Sequence, residues 1–229
     1  KINIIKEVSK IKNKIPLIKT DKARINSKEV DMNDIFFAIK GKKIDGNKFI
    51  AEAFKNKASL VVGNKILSKF DKRRQIKVRN TLNFMTEISK IFRKNIDTNI
   101  IAITGSCGKT TLKELFGNEL RMFSSVSISP KSYNNIFGVP LSLLNLKHSD
   151  EFGILEVGMD KKGEIDNLTN IIKPNVGLIT NINYAHAKNF KNIKQIALAK
   201  AEMIKNILPN GFVVLNADDS FFKLHKKIA

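Results

Sequence analysis

From residue 100 onward, short apolar runs alternate with mixed segments. The runs are Ile100–Thr104, Ser125–Ile128, Phe152–Val157, Val176–Thr180 and Phe212–Asn216, and the segments between them repeat apolar residues at helical spacing. The order therefore reads strand, helix, strand, through to a final strand. Runs that are apolar at nearly every position suit strands covered on both faces, so the pattern predicts a parallel, doubly wound α/β sheet. Upstream the signals are shorter. Asp34–Ile39 and Ser59–Gly63 read as strands. Asp45-Gly46-Asn47 offers a turn and cap before Phe49, Ile50, Ala53 and Phe54, which recur at helical spacing. Leu82, Met85, Ile88 and Phe92 form one helical stripe. The polar run Asn95–Asn99 then predicts a boundary, giving a small α/β unit at 1–95 and the doubly wound unit at 96–229.

In a doubly wound sheet, ligands bind at the carboxyl ends of the strands, and the chemistry-bearing residues fall there. The first strand runs into Thr104-Gly105-Ser106-Cys107-Gly108-Lys109-Thr110-Thr111, and helical spacing begins at once with Leu112 and Leu115-Phe116. Strand, glycine loop and helix start make a phosphate cradle. Backbone N–H groups at the helix start carry partial positive charge, Lys109 adds a full one, and Thr110 offers a hydroxyl to Mg²⁺. Two residues separate the glycines, where the general phosphate loop has four. Cys107 is read as a tolerated small residue in preference to a nucleophile. Glu156 ends the third strand as either a Mg²⁺ ligand or a solvated strand end. His186 follows Asn181 past the fourth strand; beside Glu156 it is a candidate second metal ligand, and alone it is a surface histidine. Asn134 and Asn135 either cap a helix or touch a phosphate or metal-bound water. Asn216, at the end of the fifth strand, joins the same edge as a nucleotide contact.

Lys200 breaks a pattern. The helix beginning near Asn192 gathers Ile193, Ile196, Ala197, Ala201, Met203, Ile204 and Ile207 on one face. At about 100° per residue Lys200 lies in the middle of that face, with Lys194, Glu202 and Lys205 opposite. A lysine so placed must snorkel, pair or change its chemistry, since burial lowers its pKa and a neutral amine can be carbamylated.

Bulk properties narrow the classes. The 229 residues hold enough core for one large domain or two modest ones. No apolar run approaches the roughly 20 residues that span a bilayer, and charge interrupts any leader at Lys1-Ile2-Asn3-Ile4. The missing initial Met leads to the expectation of residues upstream. The stop at Lys226-Lys227-Ile228-Ala229, in the opening of another helix, leads to that of a fragment. One cysteine excludes an internal disulfide and fits a reducing cytoplasm. The net charge of +20 invites a nucleic-acid reading. The lysines are spread through every segment, however, and no aromatic interleaves with them as a stacking platform requires. Lys72-Arg73-Arg74 reads as a solvated loop. No nucleic-acid or membrane partner is expected.

Taken together, these motifs resemble the Mur ligases, ATP-dependent amide-forming enzymes of peptidoglycan precursor synthesis. The glycine loop is similar to their TGSxGKTT loop. Asn134-Asn135-Ile136-Phe137-Gly138-Val139-Pro140-Leu141-Ser142-Leu143-Leu144, Glu156-Val157-Gly158 with Gly163-Glu164-Ile165, Ala185-His186 and Ala199-Lys200-Ala201-Glu202 resemble the branch that adds D-alanyl-D-alanine. So do Asn26-Ser27-Lys28, Phe36–Gly41 and Asp45-Gly46 in the first unit. The resemblance implies a substrate domain followed by a phosphate-loop ATPase domain, with a third domain expected beyond Ala229. By analogy Gly105, Ser106, Cys107, Gly108, Lys109, Thr110 and Thr111 hold ATP, with Lys109 catalytic. Thr110, Glu156, His186 and a carbamylated Lys200 serve Mg²⁺, with His186 and Lys200 also counted as catalytic. Ser27, Lys28, Asn134 and Asn135 lie near the uridine diphosphate–sugar–peptide. The implied substrates are UDP-N-acetylmuramoyl-tripeptide and D-alanyl-D-alanine, joined through an acyl phosphate by a cytoplasmic, monomeric enzyme serving cell-wall growth and division. Asn26 and Lys28 stand where the branch has Asp and Arg, and Ala187-Lys188 departs from it after His186. The alternatives are the branch adding the third amino acid, and a non-catalytic nucleotide- or nucleic-acid-binding module.

Overall fold

The computed structural model describes residues 1–9, 16, 18–184 and 189–229. The chain divides into two compact units, Lys1–Phe92 and Arg93–Ala229.

The first unit begins with helix α1 (Ile2–Ser9) and centres on four short parallel strands in the order β1 (Ala23–Arg24), β2 (Ile35–Phe37), β3 (Leu60–Gly63) and β4 (Gln75–Lys77). Helix α2 (Ile50–Lys55) follows a 3₁₀ turn whose cap is Asp45, which accepts from the Asn47 N–H. Phe36, Ala38, Ile50, Ala53, Ala58 and Val61 close into one core, with Val30 at its margin. β1 and β4 have no counterpart in the sequence reading. At two and three residues they are too short to show a period. Lys72-Arg73-Arg74 forms a 3₁₀ turn in which Lys72 and Arg73 are exposed, as a solvated loop would have them, while Arg74 is half-buried with Nε donating to the Ser59 carbonyl at 2.9 Å.

Helix α3 (Thr81–Lys94) buries Met85, Ile88 and Phe92 as its stripe predicts, while Leu82 is half-buried. The units part at Phe92/Arg93, inside this helix and three residues before the expected boundary. The reason is Arg93. Its guanidinium donates to the carbonyls of Ile172 (2.7 Å), Lys173 (3.0 Å), Ile96 and Thr98 (3.3 Å each), and to Asn175 Oδ1 (3.0 Å). Those bonds assign the last helical turn to the second unit.

The second unit alternates β5 (Asn99–Thr104), α4 (Lys109–Arg121), β6 (Val126–Ile128), α5 (Gly138–Leu144), β7 (Phe152–Glu156), α6 (Glu164–Ile172), β8 (Val176–Ile179), α7 (Ile193–Ala201), β9 (Phe212–Leu215) and α8 (Phe222–Ile228). The strands are all parallel, in the order β6-β7-β5-β8-β9. On one face Ile103, Ile154 and Leu178 meet Leu112, Phe116 and Leu120 of α4. On the other, Gly153 approaches Leu146, and Gly177 approaches Met203 and Ile207. Both faces are thus covered around β5. The exception is β9, where Phe212 and Val214 are exposed; among the described residues it is an edge strand paired only with β8. No helix of the described residues is long and apolar enough to cross a membrane.

Candidate active site

β5 lies between β7 and β8, so its carboxyl end opens where both neighbours also end. The chain turns there at Gly105 (φ 148°), where a Cβ would lie 1.8 Å from Thr180 Oγ1; only glycine fits. β8's end holds the loop in place. The Ser106 N–H donates to the Asn181 carbonyl (2.9 Å) and the Cys107 N–H to Asn181 Oδ1 (3.0 Å). Thr180 Oγ1 donates to the Cys107 carbonyl (2.7 Å), and Ser106 Oγ to the Asn183 carbonyl (3.0 Å). Gly108 (φ 79°) starts α4 without a side-chain cap, and its first N–H groups and Lys109 follow directly. Lys109 Nζ curls back onto the carbonyls of Gly105 (2.9 Å) and Ser106 (3.3 Å). Cys107, Gly108 and Thr111 are exposed. The loop's own donors are pinned to Asn181, so the start of α4, which no side chain caps, and the Lys109 ammonium are what this loop offers an anion.

Glu156, at the end of β7, is buried rather than a solvated strand end, with 1% of its surface exposed. One carboxylate oxygen accepts from Thr110 Oγ1 and the other from Asn134 Nδ2, both at 2.7 Å, and its N–H donates to Ser129 Oγ at 3.2 Å. A hydroxyl and a carboxylate beside a phosphate cradle suit a hard cation, so these side chains fit Mg²⁺. Asn134 and Asn135 separate in role. Asn134 reaches Glu156, whereas Asn135 Oδ1 accepts from the N–H groups of Phe137 and Gly138 and so turns the chain into α5. Gly158 makes the Asn134 contact possible, since a Cβ there would lie 2.8–3.1 Å from the Asn134 amide group.

Lys200 sits inside, 2% exposed, with Nζ donating to the Gly105 carbonyl at 2.9 Å. It does not snorkel. Burial, and then the nearby Lys109 charge, lower its pKa to about 7. Its helix α7 starts at Asn192, whose side chain accepts from the Gln195 N–H. Glu202, expected on the solvent face, instead accepts from the N–H groups of Gly163 (2.9 and 3.1 Å) and Asp166 (3.1 Å) and caps α6. A cavity of about 400 Å³ is lined by Gly105, Lys109, Asn134, Gly158, Asp160 and Lys200. Among the described residues no cluster of three metal-binding side chains forms. His186 lies outside the described residues. Asn216 Nδ2 donates to the Thr180 carbonyl (3.1 Å), tying β9's end to β8's.

In the first unit Ser27 is buried and its Oγ donates to Glu52 Oε2 at 2.6 Å, while Lys28 is exposed. Asn26 accepts from the Lys28 N–H, so it caps this turn as an aspartate would. The sequence reading assigns no role to Glu52, Ser129, Lys113 or Asp160. Of these only Lys113 carries a sequence signal, three residues after Thr110 on the same helical face.

Residues 103–229 match the Mur ligase middle domain, and residues 22–93 match the domain described as Mur ligase family, catalytic domain. The UDP-N-acetylmuramoyl-tripeptide–D-alanyl-D-alanine ligase of Buchnera aphidicola is 36% identical over 203 residues, 89% of this chain and 44% of that protein. MurF from Acinetobacter baumannii superposes with a TM-score of 0.86 at 28% identity, over 99% of this chain and 51% of that one. MurF ligase from Thermotoga maritima, solved in complex with ADP, gives 0.77 at 32% identity, over 93% and 49%. The chain spans about half the length of the curated relatives it matches.

Proposed function

Because this chain belongs to the Mur ligase family, we propose that it serves an ATP-dependent amide ligase that adds D-alanyl-D-alanine to UDP-N-acetylmuramoyl-tripeptide. One observation carries the reading. A single cavity is lined by Gly105 and Lys109 of the phosphate loop, by Asn134, whose amide holds the Glu156 carboxylate, and by the buried Lys200. The choice of branch rests on the named relatives and on the Asn134–Leu144 and Gly163-Glu164-Ile165 segments.

In this reading the N–H groups at the start of α4 and Lys109 bind the β- and γ-phosphates of ATP. Thr110 and Glu156 would hold Mg²⁺, which neutralises phosphate charge when bound. His186, by the resemblance, would complete the metal set. The substrate carboxylate attacks the γ-phosphorus, the bond to the bridging oxygen breaks, and ADP leaves. The dipeptide amine then attacks the acyl carbon and expels inorganic phosphate. The protein's part is positioning and charge stabilisation. Ser27 and Lys28 would meet the uridine diphosphate in the first unit, and Asn216 the nucleotide.

Lys200 would work as a carbamate. An amine with a pKa of about 7 is substantially neutral at physiological pH, the form that adds CO₂, and the Lys109 cation favours the resulting anion. Protein equilibrated with ¹³C-bicarbonate should give one carbamate carbon resonance that Lys200→Ala removes; an unchanged spectrum in that variant would exclude the assignment. The function itself is tested by incubating the full-length protein with ATP, Mg²⁺, the UDP-linked tripeptide and D-alanyl-D-alanine. Amide product with one ADP per bond is expected, and Lys109→Ala should abolish it. Absence of product with a folded, ADP-binding protein would refute the assignment.

A further inference from the structure

Lys113 has no exposed surface and no part in the chemistry above. It lies in α4 with Thr110 three residues before it and Gly117 four after, so the three share the face turned toward β6 and β7. At Gly117 a Cβ would lie 2.7 Å from Ile128, showing how close helix and strand run. In that contact Lys113 Nζ donates to the carbonyls of Ser129 (2.7 Å) and Lys131 (2.5 Å) and lies 3.3 Å from Glu114 Oε1. A buried ammonium is retained only where its donors are met, and here two of the partners are backbone of one short loop.

That loop is the one that holds Glu156. Ser129 Oγ accepts from the Glu156 N–H, and Asn134 donates to its carboxylate. The Asn134 carbonyl in turn accepts from the Gly158 N–H at 2.7 Å. Between Ser129 and Asn134 the backbone passes through Lys131 at φ 49°, a conformation that costs a side-chain-bearing residue about 1 kcal/mol or more. The Lys113 ammonium grips the carbonyl of that strained residue. We infer that Lys113 is a positioning residue: it clamps the 129–134 loop to α4 so that Asn134 and Ser129 hold Glu156 against Thr110 in the geometry that receives a divalent cation. This rests on the ligase reading of the same site.

The test uses the full-length protein with Lys113→Met, which keeps the length and loses the donors, and with Lys113→Gln, which keeps one donating group. Mn²⁺ affinity is measured by electron paramagnetic resonance in the presence of ADP, and ADP affinity separately in EDTA. Lys113→Met should weaken Mn²⁺ by about ten-fold or more, the scale of losing a partner that orients a metal ligand, with metal-free ADP binding little changed. Lys113→Gln should fall between it and the unsubstituted protein. Combined with Asn134→Ala, Lys113→Met should add little, since both act through one contact. Unchanged Mn²⁺ affinity in a folded Lys113→Met protein, or fully multiplicative effects, would overturn the inference. Failure of both Lys113 variants to fold would also overturn it, by assigning the residue to core stability. An unsubstituted protein that binds neither Mn²⁺ nor ADP would instead overturn the functional reading beneath it.

Discussion

At the scale of residues, two lysines in the second unit are buried for different ends. Lys200 gives its amine one carbonyl and a cationic neighbour; Lys113 gives its amine two carbonyls and a carboxylate. The first therefore has a consequence for pH. Its folded pKa of about 7 lies below the unfolded value of 10.5, so between these values the unfolded chain binds more protons. Stability contributed through Lys200 should thus rise with pH from about 7 upward, and be lowest below pH 7 where the buried amine is charged. Urea unfolding in CO₂-free buffer from pH 6.5 to 9 should show that rise, and Lys200→Met should flatten it; an equal slope in both would assign the effect elsewhere. Gly158→Ala should displace the Asn134 amide that approaches the α-carbon and weaken Mn²⁺ binding about ten-fold, while leaving metal-free ADP binding in place. Lys200 was legible because it interrupts an apolar face. Lys113 interrupts no such face: its neighbours along α4 are Thr110 and Gly117, so no apolar stripe draws attention to it. Glu52 and Ser129 are invisible for another reason: their partners lie 25 and 27 residues away, and no local period encodes that.

At the scale of elements, the second unit was legible nearly strand for strand, because all of its strands but β6 (Val126-Ser127-Ile128) are largely apolar runs. The first unit was not. β1 and β4 are too short for alternation, and Gln75 in β4 is a buried polar residue whose side chain bonds Leu67 and Phe70 carbonyls. A glutamine in a strand reads as a loop until those partners are known. Caps carried further meaning. Glu202 looked like a solvent-face residue, yet it closes the start of α6 from another helix. Glu202→Ala should therefore cost about 1–2 kcal/mol, a cap plus its favourable charge at a helix start. Glu202→Gln should cost less. Equal midpoints in urea for all three proteins would show that the cap contributes nothing.

At the scale of the whole molecule, Arg93 decides where the second unit begins, and five acceptors depend on it. Arg93→Ala should destabilise that unit by on the order of 3 kcal/mol, because buried carbonyls lose their donors; a shift in urea midpoint equivalent to less than about 0.5 kcal/mol would show that water replaces the guanidinium. The charge of +20 has a simpler place in the account. Under the proposed function, a site for a nucleoside triphosphate and a carboxylate would gain from a positive field. What remains central is the claim that this cavity activates a carboxylate with ATP. The direct measurement is turnover of the full-length protein on tripeptide substrate labelled with ¹⁸O in its terminal carboxylate, with the released phosphate read by mass spectrometry. One ¹⁸O per phosphate is the predicted result, because the acyl phosphate hands its bridging oxygen to the leaving group. Amide product accompanied by unlabelled phosphate would contradict the account.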